Sequence, residues 1–431
     1  MRQLTIVGGG LAGLVAAIAS AEAGAGVHLY EAHQSLGGRA RPSGPPYIAQ
    51  DGPHVLYDNG PLWDWLTERD LIGPAARTPV SALAAFRFRR QGRLRRLPHA
   101  GIVRLLADKS RVAPVDRDFY GWVAARYGEE AARAASNLMG VATFDADPGR
   151  LSAAFVWERM RRVFGGLPPA ARYVCGGWGA MLARMEARAR ELGVTIELGS
   201  RVDRLPEPPV IVATSLPAAR LLLSDDSLHW DSGRALLLDL GLRRWRGDAF
   251  AISDLDEAGW AERYSAPDPT TAPAGHSLVQ AQMPLRPGES SADGLQRLER
   301  MLDLGYAGWR GRQTWRRQGL ANGRSGALDL PGRTWRDRPQ IDCGGGVFLA
   351  GDMVAAPGML SEVSFASGLQ ASRRALRHAG PSSQITPSRR AQVPRRVRGH
   401  AHVDWDHRRP AEQIPAAGSE RDVADGPDVC W

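Results

Sequence analysis

The first 31 residues constrain this chain more than any other stretch. An apolar run, Leu4-Thr5-Ile6-Val7, leads into Gly8-Gly9-Gly10-Leu11-Ala12-Gly13; small residues continue to Ala23, and 27–30 is apolar again before Glu31. The pattern reads as strand, glycine turn, helix and strand, the order of a βαβ unit. Each glycine then answers a steric demand. Gly8 makes the tight turn, Gly10 lets a pyrophosphate approach the backbone, and Gly13 lets the helix pack on the strand. Leu11 and Ala12 open the helix, whose free N–H groups and positive dipole end suit phosphate. Glu31, ending the second strand, can accept hydrogen bonds from both hydroxyls of a ribose and would repel a 2′-phosphate, which argues against NADP. The bland alternative, a tight turn beside a surface carboxylate, leaves the placement of the glycines between strand and helix unexplained. The reading is a dinucleotide site, with FAD and NAD both open at this point.

Farther along, 52–169 is rich in arginine, alanine and tryptophan and reads largely as helices with one hairpin inserted. Gly176-Gly177-Trp178-Gly179 opens a helix with Met181, Leu182 and Met185 at helical spacing, followed by strands over 194–198 and 210–214. Further strands are expected over 235–242 and 277–283. Residues 346–352 form a strand ending in Gly351-Asp352, and a helix is expected over 361–377. Beyond Ala379 the chain turns to proline, serine and arginine without periodicity, which predicts a disordered tail.

At 431 residues and 43% hydrophobic composition, the chain can bury a large core in two or three structural units. The apolar run at Leu4 leaves no room for a secretory leader. No stretch approaches the ~20 apolar residues of a membrane-spanning helix. Cys175, Cys343 and Cys430 lie far apart in no metal or redox spacing, so a reduced, cytoplasmic protein is expected, at most peripheral to a membrane. The net charge of +9 has a local source: 81–117 holds ten basic and two acidic residues, including Lys109, the chain's one lysine. Its centre, from Phe86 to Pro98, alternates apolar and basic residues around Gln91-Gly92 and reads as a hairpin with one charged face. That face is expected first to be solvated, and second to meet anionic lipid or an acidic partner. Nucleic acid is not expected, since no binding motif accompanies the charge. The oligomeric state is left open.

Gly37-Gly38-Arg39 closely follows Glu31, and with it the chain resembles the FAD-dependent amine oxidase and phytoene desaturase superfamily, in which this triplet lies over the cofactor's phosphates. The resemblance extends to Asp51-Gly52-Pro53-His54-Val55-Leu56-Tyr57, to the glycine-rich 176–181 segment, to Val202, whose counterpart meets adenine through its backbone, and to Gly351-Asp352 with Met359-Leu360-Ser361-Glu362. It implies non-covalent FAD, with Asp352 at the ribityl chain or phosphate and the helix beginning at Leu360 pointing its N-terminus at the flavin. The implied fold is α/β: a Rossmann-like FAD-binding domain of glutathione-reductase type, discontinuous, with an inserted α+β substrate-binding domain. The FAD-binding parts would be 1–51, 170–215 and 341–379, the substrate-domain parts 52–169 and 216–340, and the tail 380–431.

The resemblance also bears on chemistry. No aromatic residue lies between Gly351 and Phe365 to flank an amine, and no cysteine near Met359 could carry a covalent flavin. Both absences favour a desaturase or dehydrogenase acting on a lipophilic, terpenoid- or carotenoid-like substrate. The alternatives are an amine oxidase, an isomerase and a non-catalytic FAD-binding interaction protein. His54, Tyr57 and Glu362 are the polar candidates for the substrate side, with backbone anchoring the first reading for His54 and helix capping for Glu362. The tryptophans at 157, 178, 309, 315 and 335 are expected in the core.

Overall fold

The βαβ unit forms as expected: β1 (Gln3–Val7) and β2 (Gly26–Tyr30) are parallel, with α1 (Leu11–Glu22) between them in the chain. The structure, a computed structural model, describes residues 2–52, 54–108, 110–166 and 169–379. The expected tail at 380–431 lies outside the described residues, as does Lys109. Nearly all of α1 is buried, because the helices Gly177–Glu191 and Ser361–His378 both pack on it. Its small residues permit this closeness: a Cβ at Gly368 would come within 2.6 Å of the Ala12 carbonyl oxygen.

Strands from three distant stretches complete a five-stranded parallel sheet in the order Val347–Leu349, Val210–Val212, β1, β2, Thr195–Glu197. All five C-terminal ends therefore lie along one edge. The order changes direction between β1 and Val210–Val212, and such a switch opens a crevice beyond the strand ends.

A second, seven-stranded sheet runs in the order Gln313–Ala327, Ser232–Arg243, His276–Pro284, Trp260–Arg263, Ala251–Asp254, Arg87–Arg90, Arg93–Arg95. Side chains alternate across it. Leu236, Leu238, Leu240 and Leu242 pack with Leu298, Met301 and Leu302 of the helix Ser291–Gly305. Leu237, Asp239 and Gly241 occupy the opposite face, where Gln282, Gln280 and Leu278 stand directly across from them and Arg317 stands across from Asp239. The helices Ala100–Ala107, Phe119–Tyr127, Glu129–Leu138 and Ala153–Phe164 share a separate core.

Two expectations need correction. The hairpin turns at Gln91 and Gly92, with φ of 52° and 68°, as a type I′ turn requires. Its charge does not lie on one solvated face, however. Arg87–Arg90 pairs in parallel with Ala251–Asp254, and Arg89 puts its guanidinium 2.7 Å from the fully buried Asp254 carboxylate, a charge that needs a partner. Of the tryptophans, 157, 178 and 309 are buried, whereas Trp315 and Trp335 are only half-buried. Trp315 lies on the outermost strand of its sheet and stacks on Tyr47 at 5.4 Å. Among the described residues no helix is long and apolar enough to cross a membrane.

Candidate functional site

Beyond the C-terminal ends of the parallel strands, the backbone itself shapes a cradle. Gly8 has φ of 107°, its N–H donates to the Tyr30 carbonyl at 2.8 Å, and a Cβ there would sit 2.6 Å from the Ala213 carbonyl oxygen. A Cβ on Gly13 would lie 1.9 Å from the Gly8 oxygen. These two glycines are demanded by the fold. Gly10 is different: its φ of −74° suits any residue, and nothing lies within 4 Å of where its Cβ would be. A side chain there would fill open space at the N-terminus of α1, where no side chain caps the helix. That is the room a pyrophosphate requires.

Glu31 borders the same space. One carboxylate oxygen accepts the Gly9 N–H at 2.8 Å, and the other accepts the His33 N–H at 2.9 Å and lies 2.7 Å from His33 Nδ1. It was expected as an open acceptor; here the backbone already fixes its orientation. Each carboxylate oxygen has two lone pairs, so capacity for ribose hydroxyls remains. Ser200 donates its N–H to the Glu31 carbonyl at 2.8 Å, tethering the segment that carries half-buried Val202.

The Gly37-Gly38 turn closes one side: Gly37 N–H reaches the Gly9 carbonyl at 2.8 Å, and a Cβ on Gly38 would lie 3.6 Å from the Gly10 Cα. Arg39 and Asp352, expected on separate parts of the cofactor, are joined by a 2.6 Å ion pair as their segments converge. Ser367 clips Gly351 in place, accepting its N–H at 2.9 Å. Leu360 starts the Ser361–His378 helix with φ of 51° and ψ of −116°, a strained conformation for a side chain with a Cβ. The set fits a dinucleotide: a glycine-lined cradle with helix N–H groups, a fixed ribose acceptor, and one cation within reach of phosphate.

The three polar candidates do not form one cluster. His54 is anchored through Nδ1, 2.8 Å from the Gly52 carbonyl, with its ring edge-on to Trp178 at 5.0 Å. Burial lowers its pKa, so the ring is neutral near pH 7. Tyr57 and Glu362 do influence one another: burial first, and then the Glu362 carboxylate, raise the Tyr57 pKa far above its ordinary value. Glu362 accepts the Met359 N–H at 3.2 Å, so it does bond the backbone where its helix begins. It also pairs with Arg162 from the helix Ala153–Phe164, and burial nonetheless raises its pKa. Arg162, which also donates to Asn59 at 3.2 Å, escaped the sequence reading. An arginine in an arginine-rich helix carries no signal of its own.

Also missed was the inner face of the seven-stranded sheet. Asp239 accepts Gln280 Nε2 at 3.1 Å and Arg317 Nε at 2.8 Å; burial pushes its pKa up to about 6 despite these partners. Gln280 Nε2 also reaches the Gln50 carbonyl at 2.9 Å, and Gln282 Nε2 the Gly140 carbonyl at 3.2 Å. Both side-chain amide atoms of Gln50, the Oε1 atoms of Gln280 and Gln282, and Trp178 Nε1 are buried without a protein partner. A Cβ on Gly52 would lie 3.7 Å from Leu237 and 3.9 Å from both Gln282 Oε1 and Phe144, so Gln50 and Gly52 lie against this face. Beside it Glu262 accepts from Tyr173 and, at 3.2 Å, from Trp260 Nε1; burial pushes it up to about 6. The signal available was the alternation Leu238-Asp239-Leu240 and Gln280-Ala281-Gln282 within apolar strands.

Fold and site together define a Rossmann-type α/β unit with a glycine-lined cradle and a second, mixed sheet. Residues 6–69 match the family described as an NAD(P)-binding Rossmann-like domain. None of the curated protein sequences matches the chain. Solved structures do match over nearly their whole lengths. An oxidoreductase from Methanosarcina mazei is 17% identical, with 86% of this chain and 99% of that one covered and a TM-score of 0.68. Cyclohexylamine oxidase from Brevibacterium oxydans IH-35A is 17% identical, covering 88% and 99%, with a TM-score of 0.65. Reduced UDP-galactopyranose mutase is 14% identical, covering 88% and 94%, with a TM-score of 0.65. The chain has the fold of these proteins.

Proposed function

We propose that this protein binds FAD non-covalently and is an FAD-dependent oxidoreductase that takes a hydride equivalent from a substrate C–H. The observation that carries the reading is the space over Gly10, framed by Gly38 and the fixed Glu31 carboxylate. In this reading Gly8 to Gly13, Glu31, Gly37 to Arg39, Val202, Gly351, Asp352 and Leu360 hold the cofactor. FAD, when bound, supplies a two-electron acceptor at its N5. The protein's own part is to orient the substrate and exclude water: neutral His54 bonds the Gly52 carbonyl, and Arg162 with Glu362 ties the helical region to the helix that starts at Leu360. Purified protein should carry acid-extractable FAD with a flavin visible spectrum, and Glu31→Gln should weaken its retention. A colourless protein that does not take up added FAD would overturn the proposal.

For the substrate we propose a lipophilic, terpenoid- or carotenoid-like molecule, supported by Leu237 and Phe144 beside Gly52 and by the absence of aromatic residues between Gly351 and Phe365. One observation favours an amine instead: the unpaired buried oxygens of Gln280 and Gln282 are acceptors suited to N–H groups. The fold shared with cyclohexylamine oxidase agrees with that second reading. Anaerobic mixing with polyene and amine panels separates them, since only the true class bleaches the flavin. Bleaching by neither class would point to a non-catalytic FAD-binding protein.

A further inference from the structure

Exposed large apolar side chains concentrate in one stretch of the described chain: Val80, Leu83, Leu97, Val103 and Val112 all lie within 80–112 and are 83, 39, 79, 54 and 87% exposed. The same stretch holds the basic excess. Six of its eight arginines fall into two groups. Arg87 and Arg89 turn inward, onto backbone carbonyls and the Asp254 carboxylate. Arg93, Arg95, Arg96 and Arg104 are exposed and have no carboxylate partner among the described residues.

The hairpin register places Arg95 opposite Phe88 and Arg93 opposite Arg90, so these four share one side of the ribbon. Phe88 packs on the helical core that also holds Ile102 and Leu105. Because the Ala100–Ala107 helix buries Ile102 and Leu105, it turns Val103 and Arg104 outward. Exposed Arg93 and Arg95 of the edge strand, Arg96 and Leu97 just after it, and Val103 and Arg104 of this helix thus bring arginine and aliphatic side chains to the surface together within 93–104.

We propose that this surface docks on an anionic lipid bilayer, the aliphatic side chains entering the headgroup boundary and the arginines pairing with lipid phosphates. Aliphatic side chains projecting from separate turns, with cations between them, suit a deformable apolar boundary covered by anions. A purely solvated hairpin would gain nothing from an exposed leucine and valines. The inference is independent of the FAD reading, and it holds whether or not the substrate comes from the membrane.

The test is sedimentation of the purified full-length protein with phosphatidylcholine vesicles, with and without phosphatidylserine. Binding is expected with phosphatidylserine, weakening as salt rises. Arg93→Gln, Arg95→Gln and Arg96→Gln together should lower partitioning about a hundredfold, at about fivefold per charge. Leu97→Ser with Val103→Ser should lower it about tenfold, and exposed Arg336→Gln, elsewhere on the surface, should change nothing. All variants should melt like the parent, since every altered side chain is exposed. No sedimentation with anionic vesicles would overturn the proposal. So would a loss confined to the charge variants, which would show that the aliphatic side chains do not enter the headgroup boundary.

Discussion

At the edge of the parallel sheet the site is made of backbone: three glycines, helix N–H groups and a carboxylate held by two main-chain donors. Across from it, the inner face of the seven-stranded sheet is made of side chains: Asp239, Gln280, Gln282 and Glu262, buried in apolar strands. At Gly8 and Gly13 the first region tolerates no added atom, and its one buried carboxylate, Glu31, is held by backbone donors. The second holds carboxylates where burial disfavours their charge. A cofactor common to many proteins can be gripped through groups that every residue possesses, whereas a particular substrate needs side chains placed one at a time.

Four substitutions test this contrast, beginning with the most severe. Gly13→Val puts carbon into the Gly8 carbonyl and should cost more than ~5 kcal/mol, leaving no soluble folded protein; a soluble variant with the parent's thermal melt would break the claim that this edge is backbone-packed. Gly10→Ala should keep stability within ~1 kcal/mol, since its φ is ordinary and the space is open, yet lower FAD affinity at least about tenfold. Equal loss of both would make Gly10 a folding residue like Gly13.

The third test concerns pH. Folded Glu262 titrates at about 6, above its ordinary 4.5, so the native state holds a proton that the unfolded chain releases. Its contribution is most favourable below about pH 4.5 and is lost as pH rises through about 6, by ~2 kcal/mol. Glu262→Gln escapes that loss, and urea unfolding should show the variant gaining about 2 kcal/mol on the parent between about pH 4 and pH 7.5. A gain that shrinks with pH would reverse the assigned sign. The smallest effect is expected from Gln282→Met, which gives up one hydrogen bond to Gly140 but removes an unpaired buried oxygen. Stability should move by less than ~1 kcal/mol, while any substrate that bleaches the flavin should need a higher concentration to do so.

The contrast also explains what was readable beforehand. Gly8, Gly10, Gly13 and Glu31 were legible because a steric demand leaves a spacing, and the Gly177–Glu191 and Ser361–His378 helices because their periodicity is regular. Asp239 was not, because its meaning depends on which face of Ser232–Arg243 turns inward, and an almost wholly apolar strand hides its phase. Arg162 and the Arg39–Asp352 pair depend on contacts across 200 and 313 residues. The expectation of one solvated, charged hairpin face fails for a related reason: the acid that captures Arg89 lies 165 positions away.

The parallel sheet also sets a timetable for biosynthesis. β1 pairs on one side with β2, within reach of the first 30 residues, but its other neighbour begins at Val210, and that strand's outer partner begins at Val347. A chain emerging from the ribosome therefore carries its glycine turn more than 300 residues before the strand Val347–Leu349 that completes the crevice. Until then one side of β1 remains an open edge, a place where nascent chains can pair wrongly. High-contact-order assembly of this kind is slow, and capture of the proposed cofactor should be a late step that locks the finished sheet rather than a template that begins it.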